Sequence, residues 1–275
     1  MNGRLPAQQP RSISDFWDTL APHHASIENH YLDVSAIRGI MGGLRAPVLV
    51  VGAGHGLIVA EIRKAGLQCD GIDLSSEMIR CAKLRRGIDI IHADARAMPF
   101  PDHTFETVIF ATGVVDFTGD ETAIREMLEE GRRVVRESGK VFVAFYRLSA
   151  ESERFLSTIG LLKDDMVAIR PTFEMYQLNP FQMVFWVAKK AGRSHLSEAF
   201  LLLRMSLLTT MAEKRMAFKM QKIFRKIADT KSMIEAAPER QPYRNQGAIR
   251  NLFERLSIQL KQLDTFASCC IARIQ

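Results

Sequence analysis

Hydrophobic residues in the first half of the chain fall into two alternating patterns, which predict strands and the helices that cover them. Val48–Val51 is an uninterrupted apolar run, and Leu57–Lys64 places apolar residues at helical spacing. A short apolar run of this kind suits a strand buried on both faces, as in a parallel sheet between layers of helices. We predict further strands at residues 68–73, 89–92, 106–111 and 140–145, with helices beginning at residue 75 and spanning residues 120–135.

The last part of the chain holds the elements that would complete such a sheet. Asn245 is a typical N-cap for a helix over residues 245–256, and residues 258–263 and 268–274 predict an antiparallel pair of strands. Residues 148–244 are then an insertion, which we predict to be a helical cap over the carboxyl edge of the sheet. Only residues 240–246 have the composition of a linker.

The predicted cap differs in composition from the sheet. It holds 8 of the 13 methionines and six more basic than acidic residues, which equals the net charge of +6 of the whole chain. Its apolar stripes fit an adaptable pocket for an apolar molecule with a basic rim, or simple packing of helix on helix. We therefore divide the chain into a lid helix and core at 1–147, the cap at 148–244, and the last helix and strand pair at 245–275.

Three glycines spaced two apart follow the first predicted strand. Gly52, Gly54 and Gly56 allow the backbone to turn sharply and a ligand to approach it closely. A dinucleotide fingerprint needs its third glycine three positions after the second, where this chain has Leu57. Asp73 ends the second strand about twenty residues further on, the distance set by one strand-helix-strand unit. The pattern indicates a turn that binds a nucleoside.

The strongest motif lies after the third strand, where residues 93–105 read ADARAMPFPDHTF. Together with the GAGHG turn and the EEGRRVVRESGKVFVAFY segment, this motif resembles the class I S-adenosylmethionine (SAM)-dependent methyltransferases, in particular the methyltransferase type 11 or UbiE-like group that acts on small molecules. The resemblance runs from Ala46 to Tyr146 without a gap. It implies an α/β fold, namely a Rossmann-like, doubly wound, mostly parallel seven-stranded sheet with the cap inserted after strand five.

The resemblance also implies SAM as the cofactor and the residues that hold it. Asp73 would accept hydrogen bonds from both ribose hydroxyls, Asp94 from the adenine amino group, and Ala95 would offer its backbone amide to the ring. Trp17 and Tyr31 would belong to an N-terminal lid over the cofactor. The complete set implied for the cofactor is Gly52, Ala53, Gly54, Gly56, Asp73, Leu74, Met78, Asp94, Ala95, Ala111, Thr112, Trp17 and Tyr31. One departure is Val50, which stands where the family usually carries an acidic residue.

Catalytic residues are less defined, since SAM carries its own leaving group and a base is needed only for some acceptors. Candidates for a base are Asp116, Tyr146 and His55. The Asn/Asp-Pro-Pro motif of amino-methylating relatives is absent at residues 111–116. We predict transfer of methyl to oxygen or carbon of an apolar or aromatic small molecule. A SAM- or nucleoside-binding protein without methyl transfer is the alternative, and a dehydrogenase is a distant third.

Composition narrows the kinds of partner and the cellular location that we expect for this protein. The chain has 275 residues, 47% of them hydrophobic, and a pI near 9.2, without a recognisable nucleic-acid-binding motif. We predict no metal site, because His23, His24 and His30 lack further ligands at suitable spacing. With no signal peptide or membrane-spanning run, we expect a cytoplasmic protein. The basic helix predicted at Lys214–Lys226 could rest on a membrane surface, although a solvated face is favoured. The sequence leaves the oligomeric state open.

Overall fold

The computed structural model describes residues 13–24, 34–118, 120–147, 150–163, 166–168, 239–242, 245–266 and 269–274, with scattered positions between 170 and 237. Elements are numbered here within those residues only. The strands are β1 Val48–Val51, β2 Cys69–Asp73, β3 Ile91–His92, β4 Phe105–Phe110, β5 Val135–Tyr146, β6 Leu162–Lys163, β7 Met166–Ala168, β8 Arg240–Pro242, β9 Leu260–Thr265 and β10 Cys269–Ile274. The helices are α1 Ile13–His24, α2 Val34–Ile40, α3 Leu57–Lys64, α4 Ser76–Arg86, α5 Glu121–Val134, α6 Ala150–Thr158 and α7 Gln246–Arg255.

Seven strands form one sheet in the order β3-β2-β1-β4-β5-β10-β9. The first five run parallel, with Val48 opposite Cys69 on one side and opposite Thr107 on the other. Strand β10 pairs antiparallel with both β5 and β9. The mostly parallel, doubly wound sheet predicted from the sequence is confirmed. Its carboxyl edge, where the order reverses between β1 and β4, is where folds of this kind bind ligands.

Both faces of the sheet are covered by apolar side chains, because successive residues of a strand point to opposite faces. Leu49 and Val51 pack into one layer, whereas Val48 and Val50 pack into the other. All four are at most 1% exposed. Full burial of such a side chain contributes about 1.5–3 kcal/mol. Strand β1 is therefore anchored from both sides, and it holds the turn that follows it in a fixed position.

Helices begin where the sequence places short polar side chains. Ser75 caps α4 by accepting a hydrogen bond from the Met78 N–H, and Asp120 caps α5 by accepting one from Thr122. Asn245 caps α7 through the Ala248 N–H, as predicted. These caps set where each helix leaves the carboxyl edge of the sheet.

Several boundaries differ from the sequence prediction. Strand β5 begins at Val135 rather than at residue 140, because Val135 pairs with Phe105 before a register shift, and Gly139 therefore lies within the strand. At Gly139 an added Cβ would lie 2.8 Å from the Glu106 carbonyl oxygen, which explains why glycine occupies this crowded position. The predicted strand at 258–263 lies two residues further on, at β9.

The segment after β5 contains a second, three-stranded antiparallel sheet that the helical prediction did not include. Strand β7 lies between β6 and β8, with Met166 opposite Pro242. Residues 240–242, predicted as linker, therefore return to pair with the start of the same segment. Helix α6 agrees with the helical prediction, whereas the cap's residues 191–220 and nearly all of Lys214–Lys226 lie outside the described residues. The division at 148 and 244 stays a prediction. Within the part of the chain that the structure describes, no helix is long and apolar enough to cross a membrane.

Candidate active site

A cavity of about 310 Å³ lies at the carboxyl edge of the sheet, beside the ends of β1, β2 and β4. This volume falls at the lower end of the range for small-molecule and cofactor sites. Most residues that the sequence assigned to a cofactor or to catalysis line this cavity: Trp17, Gly52, Gly54, His55, Asp73, Leu74, Met78, Asp94, Ala95, Thr112 and Tyr146. Ala53, Gly56, Ala111 and Asp116 are not part of its lining, and Tyr31 lies outside the described residues.

The glycine-rich turn has the geometry that its sequence predicts. Gly52, Gly54 and Gly56 all have positive φ, at 72°, 52° and 77°. The N–H groups of Gly52 and Ala53 both donate to the Ile72 carbonyl (2.9 Å each), which ties the turn to β2. An added Cβ at Gly52 would lie 2.1 Å from Cγ2 of Val114, whereas one at Gly54 would meet nothing within 4 Å. The turn therefore presents bare backbone beside an open cavity.

Asp73 ends β2 with its carboxylate at the cavity wall. Its Oδ2 accepts a hydrogen bond from the Gly54 N–H (2.7 Å), and its Oδ1 accepts one from the Ser75 N–H (2.9 Å). Burial raises the pKa of Asp73, and these backbone donors oppose that rise. A carboxylate has about four acceptor positions, so Asp73 keeps capacity for hydroxyl groups of a ligand.

Asp94 lies two residues beyond β3, the strand adjacent to β2, and it faces the same cavity. Arg96 pairs with it at 2.6 Å between Nη2 and Oδ2 and donates its backbone N–H to Oδ1. The Arg96 guanidinium lowers the pKa of Asp94. Asp94 thus stays ionised to lower pH than an ordinary aspartate, and it would share its oxygens between Arg96 and any ligand amino group.

Helix α1 closes one side of the cavity. Its Asp18 accepts hydrogen bonds from the Ser75 hydroxyl and the Glu77 N–H, so a carboxylate sits at the N-terminus of α4. An anion is favoured there by the unpaired N–H groups of the first helical turn. This contact brings Trp17, one residue before Asp18, over the cavity.

Aromatic rings join α1 to the loop after β4. The Trp17 ring meets Phe117 edge to face with centroids 5.1 Å apart, and Phe117 stacks on Phe16 at 5.9 Å. The rings of Tyr146 and Phe117 meet edge to face with centroids 6.3 Å apart. The Tyr146 hydroxyl lies 3.2 Å from the position that a Cβ on Gly113 would take. We call Trp17, Phe117 and Tyr146 the aromatic wall. It makes this side of the cavity apolar.

A pair of buried histidines lies between α1 and the glycine-rich turn. Nδ1 of His24 lies 3.3 Å from Nδ1 of His55, and Nε2 of His55 lies 2.8 Å from the Ala21 carbonyl oxygen. Burial lowers the pKa of His24 to about 3, with the neighbouring His55 adding to the effect. Burial also lowers the pKa of His55 to about 4, despite the bond to Ala21, and Arg85 and Arg86 contribute. Both rings are therefore neutral at physiological pH.

Asp116 has a structural position behind the cavity. It is 1% exposed, and its Oδ2 accepts hydrogen bonds from the N–H groups of Gly113 (3.3 Å) and Tyr146 (2.9 Å). Both bonds hold backbone that lines the cavity. Of the three candidate bases, His55 and Tyr146 reach the cavity and Asp116 does not. Asp116 therefore positions the loop and the end of β5.

Sequence reasoning missed part of the lining. The additional residues are Ile13, His24, Val51, Ile72, Ala93, Arg96, Gly113, Val114, Phe117, Thr118, Ala123 and Met127. Phe117 could have been found, because it follows β4 on the edge where open α/β sheets bind ligands. His24 had no such signal, since its role depends on a contact with a residue 31 positions away. Among the residues that the structure describes, no three His, Cys, Asp or Glu side chains gather as metal ligands would.

The position of Val50 in the fold explains why an apolar residue stands there, although the resemblance implies an acidic one. Its side chain is fully buried in one apolar layer of the sheet, and Val51 is the β1 residue that reaches the cavity. A carboxylate at position 50 would need a partner in that layer. The neighbourhood of β1 is thus apolar, and the polar groups of the cavity come from β2, β3 and the turn.

Comparisons with known proteins agree with this geometry. The family model described as "Methyltransferase domain" matches residues 49–143. The demethylmenaquinone methyltransferase of Renibacterium salmoninarum is 32% identical over 148 residues, which are 50% of this chain and 60% of that relative. The chain thus matches about three fifths of that relative's length. Residues 49–143 thus match a methyltransferase domain, which agrees with the resemblance described from the sequence.

Solved structures with a similar fold span nearly the whole chain. A Rhodobacter sphaeroides protein titled as a Zn-dependent alcohol dehydrogenase has a TM-score of 0.58 at 11% identity and covers 98% of this chain and 99% of its own. The glycopeptide N-methyltransferase MtfA, complexed with SAM, has a TM-score of 0.50 at 14% identity and covers 88% and 86%. At these identities the likeness shows the shared fold alone.

Proposed function

We propose that this protein is a SAM-dependent methyltransferase that transfers a methyl group to oxygen or carbon of an apolar or aromatic small molecule. The observation that carries the proposal is that Asp73 and Asp94, from neighbouring parallel strands, line one cavity together with the glycine-rich turn. The R. salmoninarum relative is named for methyl transfer to demethylmenaquinone, which is consistent with a small-molecule acceptor.

The donor groups of the cavity fit a bound SAM. Asp73 has acceptor capacity for the two ribose hydroxyls, and Asp94 is held ionised for the adenine amino group. Leu74 is 42% exposed beside Asp73 and lines the cavity, and the adenine ring would cover it. The bare backbone at Gly54 leaves room for the rest of the nucleoside.

Methyl transfer at such a site depends more on orienting the acceptor toward the methyl group than on catalysis by a side chain. Bound SAM supplies a methyl group on a sulfonium leaving group. The aromatic wall would exclude water and hold an apolar acceptor in line, and proximity of this kind can supply much of a rate enhancement. Of the two candidate bases that reach the cavity, Tyr146 is better placed to orient an acceptor through a hydrogen bond of its hydroxyl, because His55 is engaged by Ala21 and His24.

The alternative is a SAM-binding protein without methyl transfer. Val50, in place of the usual acidic residue, favours this alternative because it removes one polar group near the cofactor. The acceptor-side wall is nonetheless complete, with three aromatic rings and the Tyr146 hydroxyl at one end of the cavity. Such a wall can help to close the cavity over SAM, and it also offers an apolar surface to an acceptor, which binding of SAM alone does not require.

Incubation of the full chain with methyl-labelled SAM and a cell extract tests the proposal. We expect label in a solvent-extractable product and much less with a Tyr146→Phe variant if the acceptor must lose a proton. Binding of SAM with no transferred label would leave the alternative standing and overturn methyl transfer. A rise in melting temperature with NAD but not with SAM would overturn the cofactor assignment as well.

A further inference from the structure

The buried pair of His24 and His55 joins α1 to the glycine-rich turn. Both elements contribute residues to the lining of the cavity. His55 is the residue between Gly54 and Gly56, and His24 is the last residue of α1. His24 also meets the Trp17 ring edge to face, with centroids 5.9 Å apart. Any change in the pair therefore reaches the turn on one side and the aromatic wall on the other.

Hydrogen bonding fixes which protons the pair can carry. The Ala21 carbonyl can only accept, so Nε2 of His55 carries a proton and donates to it. Neutral His55 then has a lone pair at Nδ1, which accepts a hydrogen bond from the Nδ1–H of His24. A second proton on each ring would place two N–H groups against each other across 3.3 Å, because neither Nδ1 would then keep a lone pair. The hydrogen bond between the rings is therefore lost when both histidines are protonated.

Charged groups on the packed elements oppose protonation further. Arg85 and Arg86 of α4 face the pair, and their guanidinium groups bind the Pro22 and His55 carbonyls (2.8 and 3.1 Å). The other titratable groups on these elements are Asp15, Asp18 and His23 of α1, Glu77, Arg80, Cys81 and Lys83 of α4, and Cys69, Asp70 and Asp73 of β2. The end of α1 is thus held by carbonyl bonds to Arg85 and His55 and by the bond between the two rings, whereas Arg86 holds the glycine-rich turn.

We propose that His24 and His55 are positioning residues that form a latch, which holds α1 on the glycine-rich turn while both are neutral and releases it when they take up protons. This inference rests on the proposed cofactor site, because its consequence is that SAM binding weakens as the pH falls. Release lets each histidine return to its ordinary pKa of 6.5. The population of the closed latch is therefore highest above about pH 6.5, and it falls progressively as the pH drops below that value.

The size of the effect follows from two coupled protonations. Each histidine raises the equilibrium constant for release by up to about tenfold per pH unit between 6.5 and its lowered pKa, which is about 4 for His55. Two histidines together give up to about a hundredfold per unit. For a latch closed about nine tenths of the time at neutral pH, the Kd for a ligand of the cavity rises about tenfold at about pH 5.5.

The test is isothermal calorimetry of S-adenosylhomocysteine, the product of SAM, between about pH 7.5 and pH 5.5. A His24→Asn variant keeps an N–H donor near the Nδ1 position and cannot take up a proton. We expect the variant to lose more than half of the logarithmic pH dependence of Kd, because one histidine alone opens the latch only about half-way at about pH 5.5. The matched control is His103→Asn, an exposed histidine away from the cavity at φ 54°, a conformation that asparagine tolerates. The control should follow the wild type, and it cancels titration of the ligand and of Asp73.

A second measurement uses the wild-type latch without any cofactor. The chain has two tryptophans, so a Trp186→Phe variant leaves Trp17 as the only one. Its emission should change over the same pH range as the affinity, since release of α1 carries the Trp17 ring away from Phe117. Constant Trp17 emission, or a His24→Asn profile equal to that of the control, would overturn the latch. Failure of the wild type to bind S-adenosylhomocysteine at about pH 7.5 would instead overturn the proposed function.

Discussion

The two sides of the cavity are built in different ways. The floor consists of the glycine-rich turn, Asp73 and Asp94, and each of these comes directly after a strand of the parallel sheet. The wall consists of α1 and the loop at residues 113–118, which meet through the rings of Trp17 and Phe117, 100 positions apart in the chain. The floor is thus fixed by backbone pairing, whereas the wall depends on side-chain contacts that can be altered while the sheet stays folded.

The largest effect is expected from a substitution at Gly52, which would distort the floor of the cavity. In Gly52→Ala the new Cβ must adopt φ 72° and would lie 2.1 Å from Val114, whose branched side chain cannot easily move aside. We expect the free energy of unfolding to fall by about 2–5 kcal/mol, from left-handed strain plus overpacking. Urea unfolding measures the change. Gly66→Ala is the control, because it has φ 81° and nothing within 4 Å of the added Cβ. Equal losses in the two variants would contradict the crowded turn.

The next largest effect is expected from a substitution that disrupts the wall and leaves the floor intact. Trp17→Ala removes a half-buried ring that packs on Phe117 and His24, so S-adenosylhomocysteine affinity should fall about tenfold through lost closure of the cavity. Trp17→Phe keeps a ring and should recover most of the affinity. The measurement is calorimetry at about pH 7.5. Unchanged affinity in Trp17→Ala would show that the floor binds the cofactor without the wall.

A further variant sharpens the role of the floor's outer carboxylate. Asp94→Asn leaves an acceptor that is uncharged, and we expect affinity to fall about threefold to tenfold, the value of one charge-assisted hydrogen bond. Stability should hardly change, since the pair with Arg96 is partly exposed. Asp89→Asn removes an exposed pair with Lys83 in the same way and serves as the control. Equal affinities in these two variants would remove Asp94 from the site.

The smallest effect separates positioning from catalysis at Asp116. Its Oδ2 alone accepts the bonds from Gly113 and Tyr146, so the amide oxygen of Asp116→Asn can accept both. We expect methyl transfer within about threefold of wild type, whereas Asp116→Ala leaves two buried N–H groups without this acceptor and lowers the melting temperature. A loss of about a hundredfold or more in the asparagine variant alone would instead make Asp116 a general base.

The floor could be predicted from the sequence because its signals are local. The spacing from the glycine-rich turn to Asp73 reflects one strand-helix-strand unit, and the segment after β3 carries its own motif. The wall could not be predicted in the same detail. Trp17 was expected to cover the cofactor, but its contacts with Phe117 and His24 depend on how α1 docks on α4. The start of β5 was missed because a register shift opposite Phe105 extends the strand through Gly139.

The most direct measurement of whether this cavity holds SAM is calorimetric titration of S-adenosylhomocysteine into the wild type, Asp73→Asn and Asp70→Asn. Asp70 lies on the same strand and forms only a long, exposed pair with Arg63 at 3.9 Å, which makes it a matched control. We predict that Asp73→Asn weakens binding about a hundredfold, the value of two hydrogen bonds to a charged acceptor, while Asp70→Asn binds as the wild type does. Equal affinity in all three proteins would contradict the assignment of the ribose to Asp73 and, with it, the cofactor site.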